Sequence, residues 1–181
     1  QSGTGVKQAD KTALTWFRKA SDQGDADSGY QVALAYKNGS GVRKSSNNRF
    51  KWTKKAAESG SVVAQHQLGY LYEQGKGVRE NESEAFSWYK RAAAATDPNS
   101  KSAFKLAQNI INDSDTTDAE SLIEAYYWLL IAINYSHKQD VSQAEIQSMF
   151  KLIEELRSSL QREDLDKSLR KYTVIAKSKT Q

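Results

Sequence analysis

Cysteine is absent from this chain of 181 residues. That excludes a disulfide framework and any thiolate metal site, and it leaves the compartment open. Proline occurs once, at Pro98. A chain so poor in proline can be helical almost throughout, because proline breaks helix interiors. No apolar run approaches the roughly 18 residues that a membrane span needs. The longest, "AYYWLLIAI" from Ala125, is half that. Histidine occurs only as His66 and His137, far apart in sequence. The residue four places after His66 is Tyr70, so no helical metal pair forms there. No phosphate-cradling glycine loop and no G-x-S-x-G nucleophile turn is present. Glu154 and Glu155 are adjacent, point to different faces of a helix and make a poor acid–base pair. The tightest acidic cluster is Asp113, Asp115, Asp118 and Glu120. It lacks the glycine and the length of a calcium loop, which leaves turns and helix caps as its use. These absences predict a chain with no catalytic residue, no metal site and no cofactor.

Charge is unevenly spread. Residues 1–60 hold eleven Lys/Arg against five Asp/Glu, a net +6, and residues 61–181 hold fifteen against seventeen, a net −2. A nucleic-acid reader would show a denser basic stripe or a recognisable motif, so no nucleic acid is expected. The segment Arg43–Lys55 carries six positive charges. Its ordinary meaning is a solvated outer helix face, and an acidic partner or anionic surface is the alternative.

What the chain does have is a repeat. "GSGVRKSSNNRFKWTKKAAESG" begins at Gly39, and "GKGVRENESEAFSWYKRAAAAT" begins 36 residues later at Gly75. The four tryptophans, Trp16, Trp52, Trp88 and Trp128, are spaced 36, 36 and 40 apart, and each is followed four residues on by alanine. Val32, Leu68 and Leu106 share another column, with the small residues Ala33, Gly69 and Ala107 just after. Self-similarity at this period signals stacked supersecondary units. Each unit reads as two helices. The first type is expected at 26–38, 62–74 and 99–112, the second at 10–22, 46–59, 82–95 and 122–136. Gly39 and Gly75 stop the first helices, as glycine does at a left-handed cap. Asn81 with Glu84 and Ser121 with Glu124 have capping-box spacing. Each tryptophan is expected to be buried between one unit and the next. The chain opens "QSGTGVKQAD", where Gly3–Val6 repeats the turn seen at Gly39 and Gly75. This start reads as a fragment of a longer protein, with a helix and any targeting segment upstream.

With several columns in phase, the sequence resembles the Sel-one-like repeats, relatives of the tetratricopeptide repeats. "AQHQLGYLYEQGKGVRENESEAFSWYKRAA" from Ala64 matches their pattern closely, and "SGYQVALAYKNGSGV" with "WTKKAAESG" is a second match. "GTGVKQADKTALTWFRKASDQG" is the second half of an earlier unit. The resemblance is strong over residues 3–96 and loose over 97–136. It implies an all-α fold, an α/α solenoid of antiparallel helix pairs forming a right-handed superhelix. It also implies a bacterial protein, periplasmic or secreted.

The last unit departs from the pattern. "NDSDTTDAES" replaces the glycine turn, and the outward pairs Arg18–Lys19, Lys54–Lys55 and Lys90–Arg91 become Leu130–Ile131. An outer face turns apolar when something covers it. From Ser142 onward, Ile146, Met149, Ile153, Leu156 and Leu160 form one helical stripe, and Leu165, Leu169 and Tyr172 follow. The expected organisation is a repeat array over 1–138 with C-terminal capping helices over 139–181, packed on it as one domain and monomeric.

The resemblance implies that the first helices line the concave side. Their outward columns are Asp27, Val63 and Lys101; Tyr30, His66 and Phe104; Gln31, Gln67 and Lys105; Leu34, Tyr70 and Gln108. Aromatic and amide side chains on a preformed surface suit a peptide. The candidate partner-binding residues are therefore Tyr30, Gln31, Leu34, His66, Gln67, Tyr70, Phe104, Lys105 and Gln108. The competing reading is that Tyr30 and Phe104 only pack between units. The expected function is a non-enzymatic scaffold that binds a protein or peptide. The alternative is a cell-wall glycan-binding module that uses the same aromatics as stacking platforms.

Overall fold

The computed structural model describes residues 3–113, 118–167 and 169–170. Its elements are α1 (Gly3–Asp22), α2 (Ala26–Asn38), α3 (Ser46–Glu58), α4 (Val62–Glu73), α5 (Glu82–Ala94), α6 (Ser100–Asn112), α7 (Ala119–Ser136) and α8 (Gln143–Ser159). A further helical segment covers 162–167. No strand occurs among the described residues. The chain divides into two compact units, Gln1–Trp88 and Tyr89–Gln181. The fold is all-α, with α1 to α4 packed consecutively in the first unit and α6 to α8 in the second, as in an α/α solenoid.

Local chemistry places the helix ends. In the first unit α2 is capped by Asp25, whose carboxylate accepts from the Asp27 amide at 3.2 Å and from the Ser28 hydroxyl. Ser45 caps α3 and Ser61 caps α4, each accepting an amide one turn on. Gly39 ends α2 in the left-handed conformation, φ 83°, and its N–H bonds the Ala35 carbonyl. The second glycine of each G-x-G-V turn has a different task. Gly41 presses on the Asp10–Lys11 backbone and Gly77 on the Ser46–Asn47 backbone. A side chain at either position would collide with the helix of the preceding repeat. At 3–6 the same G-x-G-V letters form the start of α1, which corrects the expected turn.

The core of the first unit is built from the repeat columns. Ala56 and Ala57 of α3, Ala64 and Leu68 of α4, and Trp88 of α5 form one cluster, with Tyr30, Phe50 and Tyr72 packed against it. Phe50 and Tyr72 meet edge to face at 5.4 Å. Trp88 and Trp128 are buried, at 6% and 5% exposure, and each donates its indole N–H at 3.2 Å to the glutamate four residues earlier, Glu84 and Glu124. Trp52 is half-buried, and Trp16 is 64% exposed. Trp16 therefore corrects the expectation that every tryptophan is wedged between units. The cluster that receives Trp88 is built from the two helices before α5, and no helix precedes α1 in the described residues. Lys19 and Lys55 lie over the rings of Trp16 and Trp52, at 4.8 and 4.9 Å from their centroids.

In the second unit α6 packs on α7 and α7 on α8. Met149, Ile153, Leu156 and Leu160 of the α8 stripe are buried, as is Ile131, while Ile146, Leu130 and Leu165 are half-buried. Leu169 is 43% exposed, and Tyr172 lies outside the described residues. Ser142 and Glu145 form a capping box that starts α8. Asp118, not Ser121, caps α7, accepting from the Ser121 amide at 2.9 Å and the Ser121 hydroxyl at 2.8 Å. Gln139 staples two connections. Its amide donates to the Pro98 carbonyl at 2.7 Å and accepts from the Ser100 N–H at 2.9 Å. The Ser100 hydroxyl, fully buried, donates to the Ala132 carbonyl at 2.7 Å.

Candidate functional site

Six of the nine expected contact residues fall on α2 and α4, in the first unit. The hairpin partner α3 packs on both helices and holds them side by side. The Ser61 hydroxyl, which caps α4, also donates to Asp27 of α2 at 2.7 Å and ties the N-terminal ends of the two helices together. Small residues let α2 sit close to its neighbours. A Cβ on Gly29 would stand 2.9 Å from the Ser21 hydroxyl and 3.3 Å from the Ala56 methyl.

The outward residues differ in what they offer. Gln31 is exposed, while Leu34, His66, Gln67 and Tyr70 are half-buried. Among the described residues no intramolecular hydrogen bond takes the amides of Gln31 or Gln67. Tyr70 is braced: the Lys76 ammonium lies 4.7 Å from its ring centroid and donates to its hydroxyl at 2.6 Å. Tyr30 is half-buried against the core cluster, and that burial raises its phenol pKa, opposed by the nearby Arg49 cation. Val63 adds an apolar side chain, 51% exposed, one turn before Gln67.

The other three expected residues, Phe104, Lys105 and Gln108, lie on α6 in the second unit. Phe104 is 8% exposed, which corrects its role as an open anchor. It is buried with Ser100, Ser102, Ala103, Leu106 and Ala107 on the inner side of α6. Lys105 and Gln108 are half-buried. Val63 was legible as an apolar residue in an outward column. Lys76 was not, because its contact with Tyr70 crosses the α4–α5 turn and follows no helical spacing.

Helix pairs of near-constant length, glycine turns pressed onto the preceding pair and a tryptophan column define a helical-hairpin repeat protein. The Sel1 repeat model matches residues 1–25, 26–61 and 62–97. The chain belongs to the Sel1 repeat family. Among solved structures it is similar to a Sel1 repeat protein from Oxalobacter formigenes, with 26% identity and a TM-score of 0.61, over 75% of this chain and 97% of that one. A protective antigen of uropathogenic Escherichia coli displaying an SLR fold aligns at 20% identity and a TM-score of 0.33, over 87% of this chain and 43% of that one. Among curated proteins none matches. No helix of the described residues is long and apolar enough to cross a membrane. Sel1 repeat proteins are generally protein-interaction scaffolds.

Proposed function

We propose that this chain is a non-catalytic scaffold that binds a protein or peptide along α2 and α4. The observation that carries this reading is the exposed Val63 on α4 together with two unengaged amides, Gln31 on α2 and Gln67 on α4, on helices fixed by core packing. Each amide supplies both a donor and an acceptor, which suits the alternating N–H and C=O groups of a peptide main chain. Leu34, Val63 and Tyr70 supply apolar contact. Lys76 holds the Tyr70 ring in place before any partner arrives, so little side-chain entropy is lost on binding. His66 borders the same surface and is part of the proposed contact.

No observation favours glycan stacking. Phe104 is buried, Tyr30 packs on the core, and Lys76 lies across one face of Tyr70.

The test is selection of binding peptides from a displayed random library, followed by affinity measurement on the Gln31→Ala/Gln67→Ala/Tyr70→Ala protein. These side chains lie outside the core cluster, so the variant keeps its helical circular dichroism. At least a tenfold loss of affinity is expected. An unchanged affinity would remove this face from the account.

A further inference from the structure

We infer that the edge formed by α1 and the α2–α3 turn is a second docking site, separate from the α2–α4 face, and that its occupant is an acidic segment of a partner polypeptide. The inference starts from where the carboxylates of the basic N-terminal region are spent. Asp22 pairs with Lys55 at 2.7 Å, and Glu58 with Lys54 at 3.8 Å. Asp25 is held by its capping bonds, and Asp27 accepts from Ser61. Among the described residues Lys11, Lys37, Arg43, Lys44 and Lys51 meet no carboxylate. The excess positive charge of this region is therefore not neutralised inside the fold.

Two of these cations line one depression, and the stem of a third runs along its edge. Lys11 and Arg43, with Asp10, Gly39, Gly41 and Val42, line an open depression of about 360 Å³. The stem of Lys44 runs over Gly39, where a Cβ would stand 3.1 Å from the Lys44 Cγ. The depression is fixed by the fold, because Gly41 rests directly on the Asp10–Lys11 backbone. Cations held in place on a rigid frame attract an anionic partner and speed its encounter, and salt weakens that attraction.

Asp10 selects the class of anion. It lines the same depression as Lys11 and Arg43, and its negative charge disfavours a phosphodiester strand, which carries a charge at every unit. A polypeptide carries its carboxylates on separated side chains and has main-chain N–H groups that Asp10 can accept. A mixed lining of two cations and one acceptor therefore fits an acidic peptide better than a nucleic acid or a lipid surface.

The experiment uses a fluorescein-labelled 16-residue peptide alternating glutamate and glycine. An eight-nucleotide oligothymidylate and vesicles containing phosphatidylserine are the competing probes. Fluorescence anisotropy should show the peptide binding the whole chain, with affinity falling as salt rises. Lys11→Glu/Arg43→Glu/Lys44→Glu should raise its Kd at least tenfold. Arg162→Glu/Lys167→Glu/Arg170→Glu makes the same change in net charge elsewhere and should leave Kd within about twofold. If the first reversal unfolds the chain, Lys11→Gln/Arg43→Gln/Lys44→Gln reads the same loss. Equal effects of the two reversals, no binding of the peptide, or tighter binding of the oligonucleotide or the vesicles would each overturn the inference.

Discussion

Gly77 rests on Ser46: a methyl group on the glycine Cα would overlap the serine carbonyl oxygen. Thirty-six residues earlier Gly41 meets Asp10 in the same way, with its absent Cβ 2.6 Å from the Asp10 carbonyl carbon. Both glycines also have positive φ, 82° and 69°. The repeat is thus joined to its predecessor by backbone lying on backbone. Gly77→Ala and Gly41→Ala should each destabilise by more than about 2 kcal/mol, since the strain of positive φ adds to a clash that no rotamer relieves. Gly60 has φ 102° but open space around it, so Gly60→Ala should cost only about 1 kcal/mol. Urea denaturation of the three variants reads the difference.

Trp88 and Trp16 occupy one column and should respond differently. Trp88→Ala removes a ring buried against Ala56, Ala57, Ala64 and Leu68, and should cost about 3–5 kcal/mol. Trp16→Ala acts on an exposed ring and should stay within about 0.5 kcal/mol. Thermal melts of the pair check this.

Thr53 is fully buried, and its hydroxyl has no hydrogen-bond partner. The equivalent positions hold Phe17, Tyr89 and Leu129. Thr53→Val keeps the shape and removes the unsatisfied oxygen. It should raise stability by about 1 kcal/mol, measured as a higher denaturation midpoint at unchanged slope.

Among the described residues, three carboxylates are held below their ordinary pKa by hydrogen bonds. Asp25 is lowered chiefly by the Ser28 side chain, Asp118 by the Ser121 amide and Glu145 by the Ser142 amide. A depressed folded pKa stabilises above the unfolded value, and that contribution disappears as pH falls through the folded value. Melting temperature should therefore fall with acidification below about pH 4. Asn caps about as well as Asp, so Asp25→Asn and Asp118→Asn should melt near the parent at pH 7 and lose less on acidification.

Much of the fold was legible because the period of 36 places α2 in phase with α4 and α3 in phase with α5. The observed starts of α2, α3, α4 and α5 coincide with the expected ones, and glycine marks the end of α2. Burial within a column was less legible, since it depends on the neighbour and not on the residue. That is why Trp16 and Trp88 differ, and why Phe104 is buried where His66, its counterpart on α4, is only half-buried. Contacts that break the period left no signal. Gln139 reaches Ser100 across 39 residues, and Lys76 reaches Tyr70 across a turn. Asp118 displaced Ser121 as the α7 cap because its carboxylate reaches both the amide and the hydroxyl of Ser121.

The α2–α4 face is tested most directly by amide chemical-shift mapping of the whole chain with a library-selected peptide. The largest shifts should fall on Gln31, Leu34, Val63, Gln67 and Tyr70, with α7 and α8 unmoved. Shifts gathered on α8 or spread evenly over both units would contradict the proposed binding face.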